Sequence, residues 1–524
     1  MKKQILYWIL WGILLLEYAY IFLVLLNYDM AWMNPEKVFT HAWILENGSN
    51  LRWEDIIKSL NIDIIEVNAE RLSRPISNLV EVLDTKFRAN CWNFFVPHPS
   101  FSSLWPVLFL ALPVFLYRFF INMGCQRVIA LSGVCLYLSS IGFLGPIVMM
   151  FHPSKSLVNF FGVFSLWGIS VLYKKTVPLG ENVSIKNISN FWIFFIGFLV
   201  SMYMGFFSDE TGLFIYVVNL VLLFPVLNRV KERKILWAIV LLIPVLYLIT
   251  LQVFLPYLHF VVRGRVINFT HYEACPHLSS LFFPNWGYLW TNCCWLFSDY
   301  PHLMSNFRNS LTCWLFFLLQ VIYSGLFVFI VVIFVRRNLF VALNFWAKKA
   351  LVFLGLLVAY VFFQTFQLSA NAHVWGVWWY GSLFSLIYFI TFTFILQEVW
   401  GNEKNHLFQK CFVFIVAILV MESLIFTTYR INIFKHQNLD RNNYQFMDIF
   451  NGKINPYREY DFLSSAQRSR CKYLYARNLW EKAKQKDISS INSSQMEYCR
   501  TILNKEGYFP VEILYESFEL RRKK

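Results

Sequence analysis

The sequence predicts an all-α, polytopic membrane protein with about eleven transmembrane helices. Two features of its composition support this class: 57 % of the 524 residues are hydrophobic and 19 % are aromatic. The apolar residues form long stretches, and a run of about 20 such residues spans the hydrocarbon core as a helix. The predicted spans are 5–27, 104–121, 128–151, 156–173, 191–207, 212–227, 235–255, 311–335, 350–368, 380–400 and 411–428.

Lysine and arginine predict the orientation, because short cytosolic connections of membrane proteins are enriched in them. The side of the amino terminus carries Lys2, Lys3, Arg127, Lys174, Lys175, Lys186, Arg229, Lys231, Arg233, Lys234, Arg336, Arg337, Lys348, Lys349, Lys404 and Lys410. The short loops of the opposite side carry almost none, with Lys155 as the exception. We therefore expect a cytosolic amino terminus and an external carboxyl terminus. A bacterial cytoplasmic membrane is a separate expectation that does not follow from the charges.

The first span resembles a signal peptide because Lys2 and Lys3 precede it. Its apolar stretch is too long for one and no small-residue cleavage site follows, so we expect a permanent helix. The net charge of +15 is a possible nucleic-acid signal. Much of this charge lies in connections that set membrane topology, so no nucleic-acid partner is expected.

The predicted organisation is a transmembrane domain at 1–428, with external loops at about 28–103 and 256–310, and an external, partly helical region at 429–524. Cysteines in or beside spans are expected to pack as small side chains, namely Cys125, Cys135, Cys313 and Cys411. External cysteines are able to form disulfides of undetermined connectivity, namely Cys91, Cys275, Cys293, Cys294, Cys471 and Cys499. Their spacing favours no metal site.

Two parts of the first external loop carry candidate chemistry. Asp29 directly follows the first span and is a candidate base toward an acceptor hydroxyl, although a water-facing helix-end acid is the simpler interpretation. Arg71 and Arg74 precede a helix that Pro75 is suited to begin and that an apolar face would hold along the membrane surface. These arginines are candidates to bind an anionic group, or else they pair with lipid phosphates. That apolar face consists of Ile76, Leu79, Val80 and Leu83.

Further candidates lie in later loops. Asp209 and Glu210 occupy the short connection between two spans, where Ser208 provides an alternative role as the cap of the following helix. Adjacent carboxylates beside lipid are costly unless they are paired or hydrated. Lys155 is either a ligand of a donor phosphate or a surface anchor. Arg263 and Arg265 are also candidate phosphate ligands.

Taken in order, an acid at the start of a long first loop, an Arg-x-x-Arg-Pro stretch and a later external acid-Gly turn resemble the GT-C class of polytopic glycosyltransferases. This class includes protein O-mannosyltransferases and bacterial lipid-A aminoarabinose transferases, and the resemblance covers roughly residues 5–230. It implies that Asp29 acts as catalytic base, that Arg71 and Arg74 lie near a lipid-phosphate donor, and that Glu210 is the acid of the later turn. Two positions differ from the class: Asp209 stands where relatives often have Lys, and Asp29 stands alone where many have two consecutive acids.

The resemblance implies transfer of a sugar from a polyprenyl-phosphate donor to a glycan, lipid or protein acceptor at the external face. No cofactor is expected, and dependence on a divalent metal stays open. Asp29 and Glu210 are then expected to approach one cavity, with Arg71 or Arg74 at its rim. The alternatives are a transporter or flippase of lipid-linked glycans, which needs a polar passage through the bilayer, and a non-catalytic membrane scaffold.

Overall fold

The computed structural model describes residues 2–26, 76, 77, 79, 80, 104–149, 153–176, 179, 182–209, 211–254, 257, 311–338, 345–368, 381–401 and 410–428. These residues form helices and short turns, and their only extended pairing is a single bridge between Val183 and Val230. The helices are α1 Lys2–Leu26, α2 Leu104–Asn122, α3 Arg127–Leu138, α4 Ile141–Leu144, α5 Pro153–Thr176, α6 Phe191–Phe206, α7 Gly212–Leu227, α8 Arg233–Ile249, α9 Leu311–Asn338, α10 Phe345–Leu368, α11 Ser382–Gly401 and α12 Lys410–Thr428.

Each predicted span coincides with a helical segment of the structure. Within the described ranges, six helices (α1, α5, α8, α10, α11 and α12) are long and apolar enough to cross a membrane, and the number rises to seven if the bent pair α3–α4 is one span. Apolar stretches of α2, α6, α7 and α9 are shorter. For the described residues the structure thus confirms an all-helical fold with helices long and apolar enough to span a membrane, while the count of eleven spans stays a prediction.

The third predicted span, 128–151, is not one straight helix. α3 ends at Leu138, and the helix that resumes at Ile141 is inclined to it by 54°. Ser139 and Ser140 lie at the break, where the Ser140 hydroxyl donates to the Tyr137 carbonyl at 2.6 Å and accepts from the Phe143 N–H at 3.3 Å. Serine hydroxyls that bond to the local backbone compete with the helical pattern and cap a new helix. A π-helical turn, Gly145–Met149, follows α4.

α11 forms the centre of the bundle, since every residue of its membrane-spanning window is buried. Its sequence is apolar on all sides, as expected of a helix surrounded by other helices. α10, α3, α9 and α5 pack around it. Gly133 of α3 lies so close to Thr393 that no Cβ would fit, and small residues of this kind allow close approach of membrane helices.

Several helices expose apolar side chains on their outer faces. Ile193 of α6 is 68 % exposed, and Trp8 of α1 and Ile235 of α8 are each 63 % exposed. Such faces would be unfavourable in water but match the hydrocarbon core of a bilayer.

Basic connections lie together at one end of the bundle, which we call the basic end and define by the turns around Met123, Thr176 and Arg229. The Lys349 ammonium donates to the Met123 carbonyl at 3.0 Å and lies 5.4 Å from the centre of the Tyr173 ring. Val183 N–H donates to the Arg229 carbonyl at 2.9 Å. The predicted grouping of basic loops is therefore present in these turns, while their assignment to the cytosol stays a prediction.

Glu232 connects two of these turns. Its carboxylate accepts from the Ser184 hydroxyl at 3.1 Å and from the Ile185 N–H at 3.2 Å. Desolvation opposes ionisation of this group, but the hydrogen bonds outweigh it and hold the pKa of Glu232 below its ordinary value. Glu232 is therefore ionised at neutral pH.

Candidate functional site at the polar end of the bundle

The opposite end of the bundle, where α5, α7 and α11 begin, carries a group of buried polar side chains. We call it the polar end and define it by Lys155, Asn159, Asp209, Thr211 and Ser382. All of these residues are at most 4 % exposed. They come from distant parts of the sequence, so only the packing of the helices brings them together.

The α6–α7 turn supplies Asp209. One carboxylate oxygen, Oδ1, accepts from the backbone N–H of Thr211 at 3.1 Å and from its hydroxyl at 2.8 Å. An aspartate that accepts from the N–H two residues ahead stabilises a tight turn. The Ser208 hydroxyl donates instead to the Met204 carbonyl at 2.8 Å, so the alternative in which Ser208 caps α7 is wrong.

Lys155, in the first turn of α5, forms an ion pair with Asp209. Its ammonium nitrogen lies 2.6 Å from Asp209 Oδ1, and the two residues are 4 % and 1 % exposed. The alternative of a surface anchor for Lys155 is therefore wrong, because the side chain is buried in the protein. Two charges removed from water together are maintained only by close geometry and further hydrogen bonds, which Thr211 provides here.

The long loop that follows α1 contacts the same turn. Ile76 N–H donates to the Phe207 carbonyl at 3.1 Å, and Ile76, Leu79 and Val80 pack against the hydrophobic core. Residues 76, 77, 79 and 80 are helical, as the apolar pattern after Pro75 predicts. The described part of this helix thus lies beside the residue that precedes Ser208 and Asp209.

Asn159 extends the polar group toward the centre of the bundle. Its amide nitrogen donates to the Tyr137 hydroxyl at 3.1 Å and to the Ser382 hydroxyl at 2.7 Å. The carbonyl oxygen of Asn159 and the hydroxyl of Ser156 are buried and have no hydrogen-bond partner among the described residues. Buried polar atoms normally have such partners, so these two are available to a water molecule or to the hydroxyls of a ligand.

Six of the predicted site residues lie outside the described residues: Asp29, Arg71, Arg74, Glu210, Arg263 and Arg265. The structure describes the other two predicted site residues, Asp209 and Lys155, which form an ion pair with each other. In the described ranges, no group of three or more His, Cys, Asp or Glu side chains is arranged to hold a metal ion.

Sequence reasoning missed Asn159, Tyr137, Thr211 and Ser382 as parts of this site. Asn159 follows Lys155 by four residues, so both lie on one face of α5. A polar residue on the same face as a lysine, in an otherwise apolar span, could have identified Asn159 as part of the site. Nothing local in the sequence pairs Asn159 with Ser382, which is 223 residues away.

Gly212, the first residue of α7, makes the turn possible by close approach. A Cβ on Gly212 would lie 2.5 Å from the Gly205 carbonyl oxygen and 2.9 Å from the Phe206 nitrogen. That carbonyl also accepts from the N–H groups of Ser208 and Asp209, at 3.2 and 3.3 Å. Any added side chain must therefore displace the backbone that holds Asp209.

We expect Gly212→Ala to lower the free energy of unfolding by about 1–3 kcal/mol, the usual cost of overpacking. Thermal unfolding of the purified protein in detergent measures the effect. Gly355→Ala is the matched control, because no described atom lies within 4 Å of the Cβ position at Gly355 in α10. Equal unfolding temperatures for the two variants would contradict the close approach at Gly212.

No family model matches the chain, and neither a curated protein nor a solved structure matches it.

Proposed function

We propose that the protein is a glycosyltransferase of the GT-C type, which moves a sugar from a polyprenyl-phosphate donor to a glycan, lipid or protein acceptor. The reaction takes place at the polar end, which corresponds to the external face. The observation that carries this proposal is the buried Lys155–Asp209 ion pair, next to which the helix of the first external loop docks.

The chemistry of such a transfer fits these side chains. The departing polyprenyl phosphate gains negative charge, which a cation stabilises, and the acceptor hydroxyl gives its proton to a carboxylate. Lys155 supplies the cation at this end of the bundle. Arg74 precedes Ile76 by two residues in the sequence and brings a second cation to the phosphate, while Asp29 acts as the base.

Asp209 positions Lys155 in this proposal. It holds the ammonium within 2.6 Å and is itself fixed by the hydroxyl and N–H of Thr211, so the charge stays in place when water leaves the site. The Asn159 carbonyl oxygen and the Ser156 hydroxyl lack a partner among the described residues. They lie on the same helix as Lys155 and are able to bind hydroxyls of the sugar.

The test uses the full-length protein reconstituted in lipid with single-sugar polyprenyl-phosphate donors. We expect the release of polyprenyl phosphate and the transfer of the sugar to an acceptor, both followed by mass spectrometry. The double variant Lys155→Met/Asp209→Asn removes both charges of the ion pair while it retains similar side-chain volumes. Loss of transfer in this variant supports the proposal, whereas wild-type transfer would show that the ion pair is purely structural.

A second candidate, a transporter or flippase of lipid-linked glycans, is favoured by a different observation. Glu17 of α1, Glu398 of α11 and Glu422 of α12 are all buried inside apolar helices. Ionisable residues within membrane helices often line transport pathways. Movement of an intact lipid-linked sugar between the leaflets of proteoliposomes, with no transfer of the sugar, would establish this function in place of the enzymatic one.

A further inference from the structure

Glu17 occupies a position in α1 at which the helix otherwise buries hydrophobic side chains. The buried face of α1 follows helical spacing and consists of Leu6, Leu10, Leu14, Glu17 and Ile21. Glu17 is 1 % exposed, although it lies within the membrane-spanning stretch Gln4–Leu23. The side chain thus points into the bundle at a position where a leucine would continue the pattern.

Among the described residues, no basic side chain faces the carboxyl of Glu17. Cys135 of α3 faces it, but the thiol of Cys135 donates to the Leu10 carbonyl at 3.7 Å. Neither carboxyl oxygen of Glu17 has a hydrogen bond among the described residues. An isolated carboxylate in an apolar interior costs many kcal/mol, so such a group takes up a proton instead.

The other titratable groups near α1 do not change the preference of Glu17 for its protonated form. Tyr18 neighbours Glu17 on α1 and donates its hydroxyl to the Leu110 carbonyl at 2.7 Å. From α2, Tyr117 and Arg118 interact with Tyr7, which lies toward the opposite end of α1. The π-helical turn Gly145–Met149 has no titratable residue.

Polar side chains of α3 and α12 lie between Cys135 and the exposed edge of the bundle. Ser139 lies one turn beyond Cys135, at the break between α3 and α4, and its carbonyl accepts from the Ser423 hydroxyl of α12. One turn further along α12, the buried Thr427 hydroxyl has no hydrogen-bond partner among the described residues. Beside it, Tyr20 and Thr428 hydroxyls lie 2.8 Å apart at an exposed position, which joins α1 to α12.

We propose that Glu17 is a proton-binding site inside the membrane, at which the carboxyl is held as the neutral acid. This proton exchanges with the exposed edge along α12, on which the Ser423, Thr427 and Thr428 hydroxyls lie. The site is separate from the Lys155–Asp209 pair and does not depend on the proposed transferase function.

The first test is modification by dicyclohexylcarbodiimide, an apolar reagent that reacts with protonated carboxyls. The acid proton moves to a carbodiimide nitrogen while the carboxyl oxygen bonds to the central carbon; the adduct then rearranges to an N-acylurea without a leaving group. In the full-length protein at neutral pH we expect an adduct of the whole reagent on Glu17, mapped by peptide mass spectrometry. Glu232, which is ionised at the basic end, is the internal control and should stay unmodified.

Variants and infrared spectroscopy complete the test. Glu17→Gln should lose the adduct on this residue and weaken the carbonyl-stretch band of protonated carboxyls, whereas Glu232→Gln should change neither. Transfer to heavy water should shift this band in the folded protein, because the proton exchanges. Glu17→Leu, which continues the apolar face, should unfold at a temperature no lower than that of the wild type. Absence of an adduct on Glu17, modification only in acid, or a band insensitive to heavy water would each overturn the proposal.

Discussion

Lys155→Met alone is expected to lower the free energy of unfolding by about 3–5 kcal/mol, because it leaves the buried Asp209 carboxylate without its counter-charge. Asp209→Asn alone should cost a similar amount, since the Lys155 ammonium then remains buried with a neutral partner. The two residues are 4 % and 1 % exposed, so water cannot take over either interaction. Denaturant titration in mixed micelles, followed by circular dichroism, measures both single variants.

The double variant Lys155→Met/Asp209→Asn should recover most of the stability, because removal of both charges also removes their desolvation cost. Recovery then appears as a large coupling energy in the double-mutant cycle. Lys410→Met is the matched control, since Lys410 is exposed at the start of α12, and its stability should stay within about 0.5 kcal/mol of the wild type. Additive losses in the double variant would contradict a direct ion pair.

With the expected recovery of stability, the double variant tests the function of the ion pair separately from its effect on folding. A folded protein without the ion pair separates loss of transfer caused by unfolding from loss of transfer caused by the missing charge. If the pair serves only to hold α5 against the α6–α7 turn, the double variant should retain transfer.

The largest effect on the proposed reaction is expected from Asp29→Asn. Loss of a general base typically slows a reaction by about 10²–10⁴-fold. We expect this loss in kcat, with the affinity for the polyprenyl-phosphate donor unchanged, because the carboxylate acts on the acceptor hydroxyl. Arg74→Ala should instead raise the KM for the donor, since its role is to bind the phosphate.

Steady-state kinetics with lipid-linked sugar, together with direct measurement of donor binding, separates the two variants. Glu36→Gln is the control for Asp29, because it neutralises another acid of the same loop. Full activity in Asp29→Asn would remove the base assignment. A change of kcat without a change of KM in Arg74→Ala would remove the assignment of Arg74 to donor binding.

Local sequence patterns predicted the helices well. The stretch 212–227, for example, has the bounds of α7, and 104–121 differs from α2 by one residue. This success has a physical reason: in a bilayer each segment must satisfy its backbone hydrogen bonds internally, so the length and composition of a single stretch determine its structure. The break at Ser139 and Ser140 escaped the prediction because a serine hydroxyl either follows the helix or competes with it, depending on its surroundings.

The candidate site was predictable only in part. The sequence singled out Asp209 and Lys155 separately, as a catalytic acid and a phosphate ligand, because charged residues near lipid are costly and therefore conspicuous. Their pairing over 54 residues, and the docking of Ile76 against Phe207, depend on how α5, α6 and α7 pack. The role of Glu17 likewise depended on which face of α1 is buried.

The sequence by itself therefore determined that the chain is a helical membrane protein, where its helices lie and which few polar residues carry chemistry. Only the tertiary structure decided which of these residues meet: Lys155 with Asp209, Asn159 with Ser382, and Glu17 with the Cys135 thiol. The physical reason is that burial in lipid is a property of each segment, whereas a contact between side chains of different helices depends on the shapes of both helices and on everything packed between them.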